Sequence, residues 1–417
     1  MDLNSMANNN GNKRKCPPSA SLGSLHDDML ERVLARLPPA SLFRLRAVCR
    51  RWRAASSSPT FLAACARIPA RDPWFLMLAD PDRPSPAVAF DAAERSWTHH
   101  CRPAATGSVP VAASGGLVLY RAPDTGALAV ANPLTGSSRP LPPPPPQQGD
   151  LQAVAMYGGG GAPYCVALFS GELPHLSMAV FDSSTNLWEE PVALARKPKS
   201  DSDGDSSSPD EQGGGNDDDT VYFLSKSGDV VATNMQRSAS KQYSAVAVMT
   251  PSSGDGHVAT CCCYFLSSSG TIVACDVARR AFVELPRVLP VYHEYSIDVV
   301  ACGGGAYAVV LSEHLDTASL RVWEYSSAGG GGGEWRQVAA MPPAMSHGFY
   351  GKKADINCVG HGDRLMVCVS SGEANGCFMC DVSSNSWEEL PKYVDGDGET
   401  TEFLAAFSFE PRLEINV

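Results

Sequence analysis

No apolar run in this 417-residue chain approaches the ~18 residues that would mark a membrane-spanning helix. The first residues lack the apolar core of a signal peptide, which predicts an intracellular location, nucleus or cytoplasm. G-x-S-x-G, H-E-x-x-H and P-loop patterns are missing, so no hydrolase elbow, zincin helix or phosphate cradle is announced. Cys377 and Cys380 form a lone C-x-x-C without a second ligand pair at zinc spacing, and neither metal nor cofactor is expected. His99 and His100 are adjacent, so they point apart and read as surface residues. Positive charge is scarce, with 33 Lys and Arg against 45 Asp and Glu, which argues against a nucleic-acid partner. Fourteen cysteines without an export signal, Cys261 to Cys263 among them, read as reduced thiols rather than a disulfide frame.

The net charge of −12 is concentrated: residues 201–219 hold eight acidic side chains and no basic one, and without them the balance is −4. With almost no apolar content, that stretch predicts a disordered acidic insertion over 197–219, whose serines would suit an acid-directed kinase. Residues 1–23 read as a disordered leader in which Lys13, Arg14 and Lys15 form a short basic cluster.

Helical patterning is confined to one place. After Asp27 and Asp28, which suit a helix start, Leu30, Val33, Leu34 and Leu37 recur at i, i+3, i+4 and i+7, and Pro38 and Pro39 stop the helix. Ser41 is placed to cap a second helix bearing Leu42, Leu45, Val48, Cys49 and Trp52 on one face. Arg32, Arg36, Arg44, Arg46, Arg50, Arg51 and Arg53 occupy the other faces. A unit of about 40 residues buries too little apolar area to stand comfortably alone, so an open apolar face predicts a partner.

These residues resemble an F-box, the helical motif by which SCF ubiquitin-ligase subunits dock on a Skp adaptor. The resemblance rests on Leu25, Asp28, Met29, Leu30, Val33, Leu34, Leu37, Pro38, Leu42, Leu45, Val48, Cys49, Arg50, Trp52 and Arg53, with His26 at a position where the family usually has proline. It implies adaptor contacts by Leu25, Leu30, Val33, Leu34, Leu37, Pro38, Leu42, Leu45, Val48, Cys49 and Trp52, and through the adaptor an association with a cullin and a RING subunit.

From about residue 73 the chain is short apolar runs punctuated by Gly, Pro, Ser and Asp, the pattern of an all-β domain. An acidic residue recurs after an apolar strand with an aromatic six positions on: Asp91 and Trp97, Asp182 and Trp188, Asp276 and Phe282, Asp381 and Trp387. Glu324 and Trp335 fit once Gly329 to Gly333 is treated as an insertion, and Asn132 and Asn234 mark copies without the aromatic. Residues 222–234 and 264–276 share eight of thirteen positions. A repeat of roughly 40–55 residues, all β, predicts one four-stranded propeller blade per copy. The acid or amide would hold the turn after the third strand, and the aromatic on the fourth would pack between blades. Leu285–Pro286, Met341–Pro342 and Leu390–Pro391 would close blades, with Gly-rich turns at Gly115–Gly116, Gly158 to Gly161 and Gly303 to Gly305 between first and second strands.

This repeat resembles the kelch type in a degenerate form. The whole layout resembles the plant F-box/kelch group that includes the Hawaiian skirt and Erect panicle proteins. The expected architecture is an F-box over 24–65, an all-β kelch-type propeller over 66–410 and a tail over 411–417. Seven markers predict seven blades, with six and an irregular segment as the alternative. The run from Glu402 to Phe409 is expected to supply the first blade's missing strand and close the ring.

Loops after second and fourth strands emerge on one face, and those here are rich in aromatic and imidazole groups. Tyr292, His293, Tyr295, His347, Phe349 and Tyr350 are the candidate substrate contacts. The combined reading is a non-catalytic substrate receptor of an SCF-type E3 ligase, with a protein substrate and, by resemblance, a role in plant organ or inflorescence development. Two other readings compete: an adaptor-bound scaffold without ubiquitin turnover, and a propeller enzyme with an accessory F-box. The enzyme would need clustered polar groups in the central channel.

Overall fold

A computed structural model describes residues 25–79, 87–102, 107–197, 221–224, 230–233, 245–250, 260–267, 270–289, 295–314, 316–326, 333–371, 374–395 and 398–417. The expected leader over 1–23, the acidic insertion apart from Lys197, and Tyr292 and His293 lie outside the described residues. The chain divides into two compact units, Met1–Ile68 and Pro69–Val417.

The first unit is helical: α1 (Asp27–Ala35), α2 (Pro39–Arg46), α3 (Arg50–Ala55) and α4 (Pro59–Cys65). Asp27 and Asp28 fall in the first turn of α1, where the helix dipole favours them. Ser41 does not cap α2; it lies inside that helix, which starts at Pro39 because proline's fixed φ and absent N–H suit a first helical position. The expected single second helix is also broken. Cys49 adopts an extended conformation (φ −155°, ψ 162°), and its Sγ accepts the Trp52 N–H, starting α3 afresh. Ser58 caps α4 through the Phe61 N–H at 3.0 Å and donates its hydroxyl to Glu31 on α1 at 2.7 Å. Leu30, Leu34, Ala35, Ala40, Leu42, Ala55, Phe61 and Cys65 are buried apolar residues of these helices.

The second unit is a β-propeller of six blades, each built on four antiparallel strands; the third adds the short strand Val192–Ala193, and the fourth adds Ala195–Arg196, paired in parallel with its outer strand. The inner strands, in ring order, are Phe403–Phe409, Val109–Ser114, Leu151–Gly158, Val246–Thr250, Tyr295–Cys302 and Asp355–His361. The first blade is completed by Trp74–Ala79, Ala89–Asp91 and Ser96–Thr98, so its inner strand comes from the C-terminal end of the chain. Trp74 pairs with Phe409 and Phe75 with Ser408, the closure expected from the Glu402 to Phe409 run. The tail packs too: Arg412 and Ile415 are buried, and Asn132 Nδ2 donates to the carbonyls of Arg412 and Ile415 at 2.8 and 2.9 Å.

Six blades replace the seven counted from markers. Among the described residues, the copy ending at Asn234 supplies a hairpin, Val221–Leu224 with Val230–Thr233. No inner strand intervenes between the third and fourth blades, because the Ala245 N–H donates directly to the Val154 carbonyl. A repeat unit becomes a blade only if an inner strand takes a place in the ring, and sequence likeness to strands two and three does not secure that.

The marker works as its chemistry predicts. Oδ1 of Asp91, Asn132, Asp182, Asp276 and Asp381 accepts backbone N–H groups two or three residues on, at 2.8–3.4 Å. Four residues after each marker the chain turns left-handed, at Arg95, Gly136, Asn186, Arg280 and Asn385, with φ between 50° and 74°. The indole N–H of Trp97, Trp188 and Trp335 reaches the carbonyl of Pro391, Pro142 and Pro286, the proline that ends the preceding blade, at 2.8–3.1 Å. Apolar clusters fill the seams between the second and third, third and fourth, fourth and fifth, fifth and sixth, and sixth and first blades.

Candidate functional site

The helical unit divides the residues singled out from sequence into three groups. Leu30, Leu34 and Leu42 are buried, so a partner reaches them only if the helices move. Leu25, Leu37, Pro38, Leu45 and Trp52 are half-buried. Val33 and Val48 are open to solvent at 43% and 66%, Cys49 is exposed, and Met29, absent from the expected contacts, is 50% exposed. The split follows from helical geometry. Met29 and Val33 are four residues apart and share a line along α1, while Leu30 and Leu34 lie on the next line, rotated inward. A 3.6-residue stripe locates a face of about 100° but not its boundary with solvent. Arg51 ties the chain before α1 to α3: its guanidinium bonds Asp27 Oδ1 at 2.8 and 2.9 Å and also contacts the Leu25 carbonyl.

On the propeller, the loop from Pro342 to Lys353 links the fifth blade to the sixth and contains a short helix, Pro343–Ser346, followed by a 3₁₀ turn, His347–Phe349. It is anchored by the buried Ser346 hydroxyl, which donates to the Ala318 carbonyl at 2.9 Å. Phe349 was expected to face a substrate; it is buried, edge-on to Phe378 at 5.9 Å, and serves as the loop's apolar wedge. His347 and Tyr350 are exposed, and their rings stack at 6.4 Å with 4° between planes. Tyr350 donates its hydroxyl to Asp316 at 2.8 Å, and the Gly351 N–H donates to Glu313 at 3.1 Å. Glu313 lies near the end of the fifth blade's second strand and Asp316 in the turn to its third, so the Pro342–Lys353 loop meets that turn on one face. The Asp316 hydrogen bond also raises the Tyr350 phenol above its ordinary value. Tyr295 begins the fifth inner strand, where its backbone pairs with Ser312.

A cavity of about 390 Å³ opens in the central channel, bounded by all six inner strands and by the Gly-rich turns. Ala112, Ala247, Val299, Val359 and Gly360 give it a small, apolar wall. Its polar groups are committed to structure: the hydroxyls of Ser114 and Ser408 donate to the carbonyls of Gly158 and Gly360 at 2.7 and 3.0 Å. His361 lies 3.9 Å from Glu410, which is bound in turn by Arg412 at 2.7 Å. Burial lowers the His361 pKa, opposed by the Glu410 charge. Among the described residues, no three His, Cys, Asp or Glu side chains gather as a metal site, and no helix is long and apolar enough to cross a membrane.

These two units define a class: a small helical domain with apolar side chains left in solvent, joined in one chain to a β-propeller. The F-box domain family matches residues 22–63. F-box only protein 13 of Arabidopsis thaliana is 43% identical over 95% of this chain and 86% of its own length. An F-box/kelch-repeat protein of the same plant is 39% identical over 94% of this chain and 89% of its own. The chain belongs to the plant F-box protein family. A shorter match, 31% over 28% of this chain and 30% of the other, is to the protein UNUSUAL FLORAL ORGANS of Arabidopsis thaliana. Among solved structures, TolB of Acinetobacter baumannii overlaps at a TM-score of 0.39 with 10% identity, covering 86% of this chain and 73% of that one.

Proposed function

We propose that this chain is the substrate-recognition subunit of an SCF-type ubiquitin ligase. Its helical unit docks on a Skp-type adaptor and so joins a cullin and RING subunit, while the propeller holds a protein substrate. The observation that carries this reading is the apolar set Met29, Val33 and Val48, left in water on the domain that matches an F-box. Water-exposed residues of that size within a small helical unit fit a surface completed by a partner. The half-buried Leu37, Leu45 and Trp52 continue the contact, and the buried Leu30, Leu34 and Leu42 hold the helices beneath it. His347 and Tyr350 are the substrate contacts favoured by exposure and by the rigidity of their loop. The chain's contribution to ubiquitin transfer is then proximity and orientation, with no covalent step of its own.

The name of the shorter-matching relative accords with a role in plant organ or inflorescence development. The enzyme reading has less support, since the Ser114 and Ser408 hydroxyls of the channel wall donate to neighbouring blades' carbonyls and Glu410 is bound by Arg412. Val33→Asp combined with Val48→Asp tests the docking face without touching the buried core. Capture of a Skp adaptor and co-purification of cullin should fall by at least about 30-fold, the factor expected from losing ~2 kcal/mol at an interface centre. Undiminished capture by the folded double variant would show that the adaptor docks elsewhere.

A further inference from the structure

In the sixth blade, Cys368 on strand Arg364–Ser370 stands directly opposite Cys377 on strand Gly376–Asp381, with the two Sγ atoms 3.8 Å apart. The hydrogen bonds at the two ends of this strand pair fix which kind of position it is. The Ser371 N–H donates to the Ala374 carbonyl at one end, and the Val382 N–H to the Asp363 carbonyl at the other. Hydrogen-bonded pairs recur every second residue in an antiparallel ladder, so residues 371, 369, 367, 365 and 363 take them. Cys368 and Cys377 therefore form a non-hydrogen-bonded pair, where Cα atoms approach to about 4.5 Å and side chains come closest. That separation falls within the range a disulfide spans.

The local sequence suggests a different partner for Cys377, the Cys380 of C-F-M-C. Three residues along a strand place Cys380 on the opposite face. It is buried in the seam between the fifth and sixth blades, whereas Cys368 and Cys377 belong to the seam between the sixth and first. The other close thiols, Cys261 and Cys263 at 4.0 Å, sit two apart on one strand and are both buried, which denies them solvent oxidant. Cys377 differs because it is partly exposed and lines a small cavity of about 70 Å³ with Trp97, Tyr393 and Phe403. Cys368 behind it is fully buried.

We propose that Cys377 and Cys368 are a reversible thiol–disulfide modification site, with Cys377 oxidised first and Cys368 resolving it. The Cys377 thiolate attacks one oxygen of hydrogen peroxide, the O–O bond breaks, and the products are a sulfenic acid and hydroxide, which takes up a proton to become water. The Cys368 sulfur, as thiolate, then attacks Cys377 Sγ, the S–O bond breaks, and hydroxide leaves to become a second water. Two thiols and one peroxide thus give one disulfide and two waters, and a dithiol reductant reverses the change. The bond would staple two strands of the blade that meets the chain's own closing seam.

The test uses the purified full chain treated with hydrogen peroxide, blocked with an alkylating agent and cleaved after Glu373, which separates the two cysteines. The expected product is a Cys368–Cys377 linked peptide pair, two hydrogens lighter than the reduced pair and lost after dithiothreitol. In a Cys368→Ala variant, Cys377 should stop at the sulfenic acid and be captured by dimedone. Linkage of Cys377 to Cys380, or Cys377 oxidised in the native chain without a bond to Cys368, would overturn the proposal. The mapping on the native chain decides the matter even if the variant does not fold.

Discussion

The helical unit and the propeller treat their large apolar side chains differently. Within 20 residues of the first, Met29, Val33 and Val48 stand in solvent. In the second, such residues are scattered singly from Val109 to Val394, and nearly every strand buries its apolar face in a seam between blades. The propeller completes itself by closing a ring through residues more than 300 positions apart, as Trp74 does with Phe409. The F-box is built from neighbours in sequence and remains open. Incompleteness is thus concentrated in the helical unit, for which docking is proposed, while the large domain closes on itself.

The severest way to break this comparison is to remove the closing strand. A chain ending at Glu402 lacks the first blade's inner strand and the clamp at Asn132. It should yield no soluble folded propeller, as judged by yield and cooperative thermal unfolding. If it unfolded like the full chain, ring closure would be dispensable.

Next comes the local core of the helical unit. Phe61→Ala empties a fully buried position and should cost about 3–5 kcal/mol. Hydrogen exchange should show the loss confined to the helices, with the blades keeping their protection, because the two units are separately compact. Equal loss of protection in both would dissolve the distinction.

A smaller effect sharpens the account of closure. Asn132→Ala removes two side-chain donations to the tail and the turn bonds to Leu134 and Thr135, and should destabilise the propeller by about 1–3 kcal/mol in denaturant titrations.

The smallest concerns acidity. Burial depresses the His361 pKa below its ordinary 6.5, so at lower pH the unfolded chain binds a proton that the folded chain resists. Stability contributed by the neutral imidazole is present above about pH 6.5 and declines as the pH falls below that value. The thermal midpoint of His361→Gln should therefore fall less between pH 7 and 5.5 than that of the native chain.

Much of this architecture was legible because its signals are local. The five marker turns with an acid or amide at Asp91, Asn132, Asp182, Asp276 and Asp381 depend on a short side chain reaching backbone two or three residues away. The α1 stripe likewise needs only helical geometry. The blade count was not legible, since residues 222–234 resemble 264–276 in the strand pair they form and differ in whether an inner strand joins the ring. Phe349 and Tyr350 are adjacent aromatics in one loop, and only packing made one a wedge against Phe378 and the other an exposed ring.

By itself the sequence determined an F-box, a repeated four-stranded unit with its turn chemistry, and a C-terminal strand suited to close the ring. These rest on periodicities of 3.6 and 2 residues and on contacts within a few positions. Tertiary structure alone decided that six blades close rather than seven, and that Met29 and Val33 face out while Leu30 and Leu34 face in. It alone chose Cys368 rather than Cys380 to face Cys377. Each of those choices depends on which distant segment occupies the neighbouring space, and strand register and blade packing set that, not spacing along the chain.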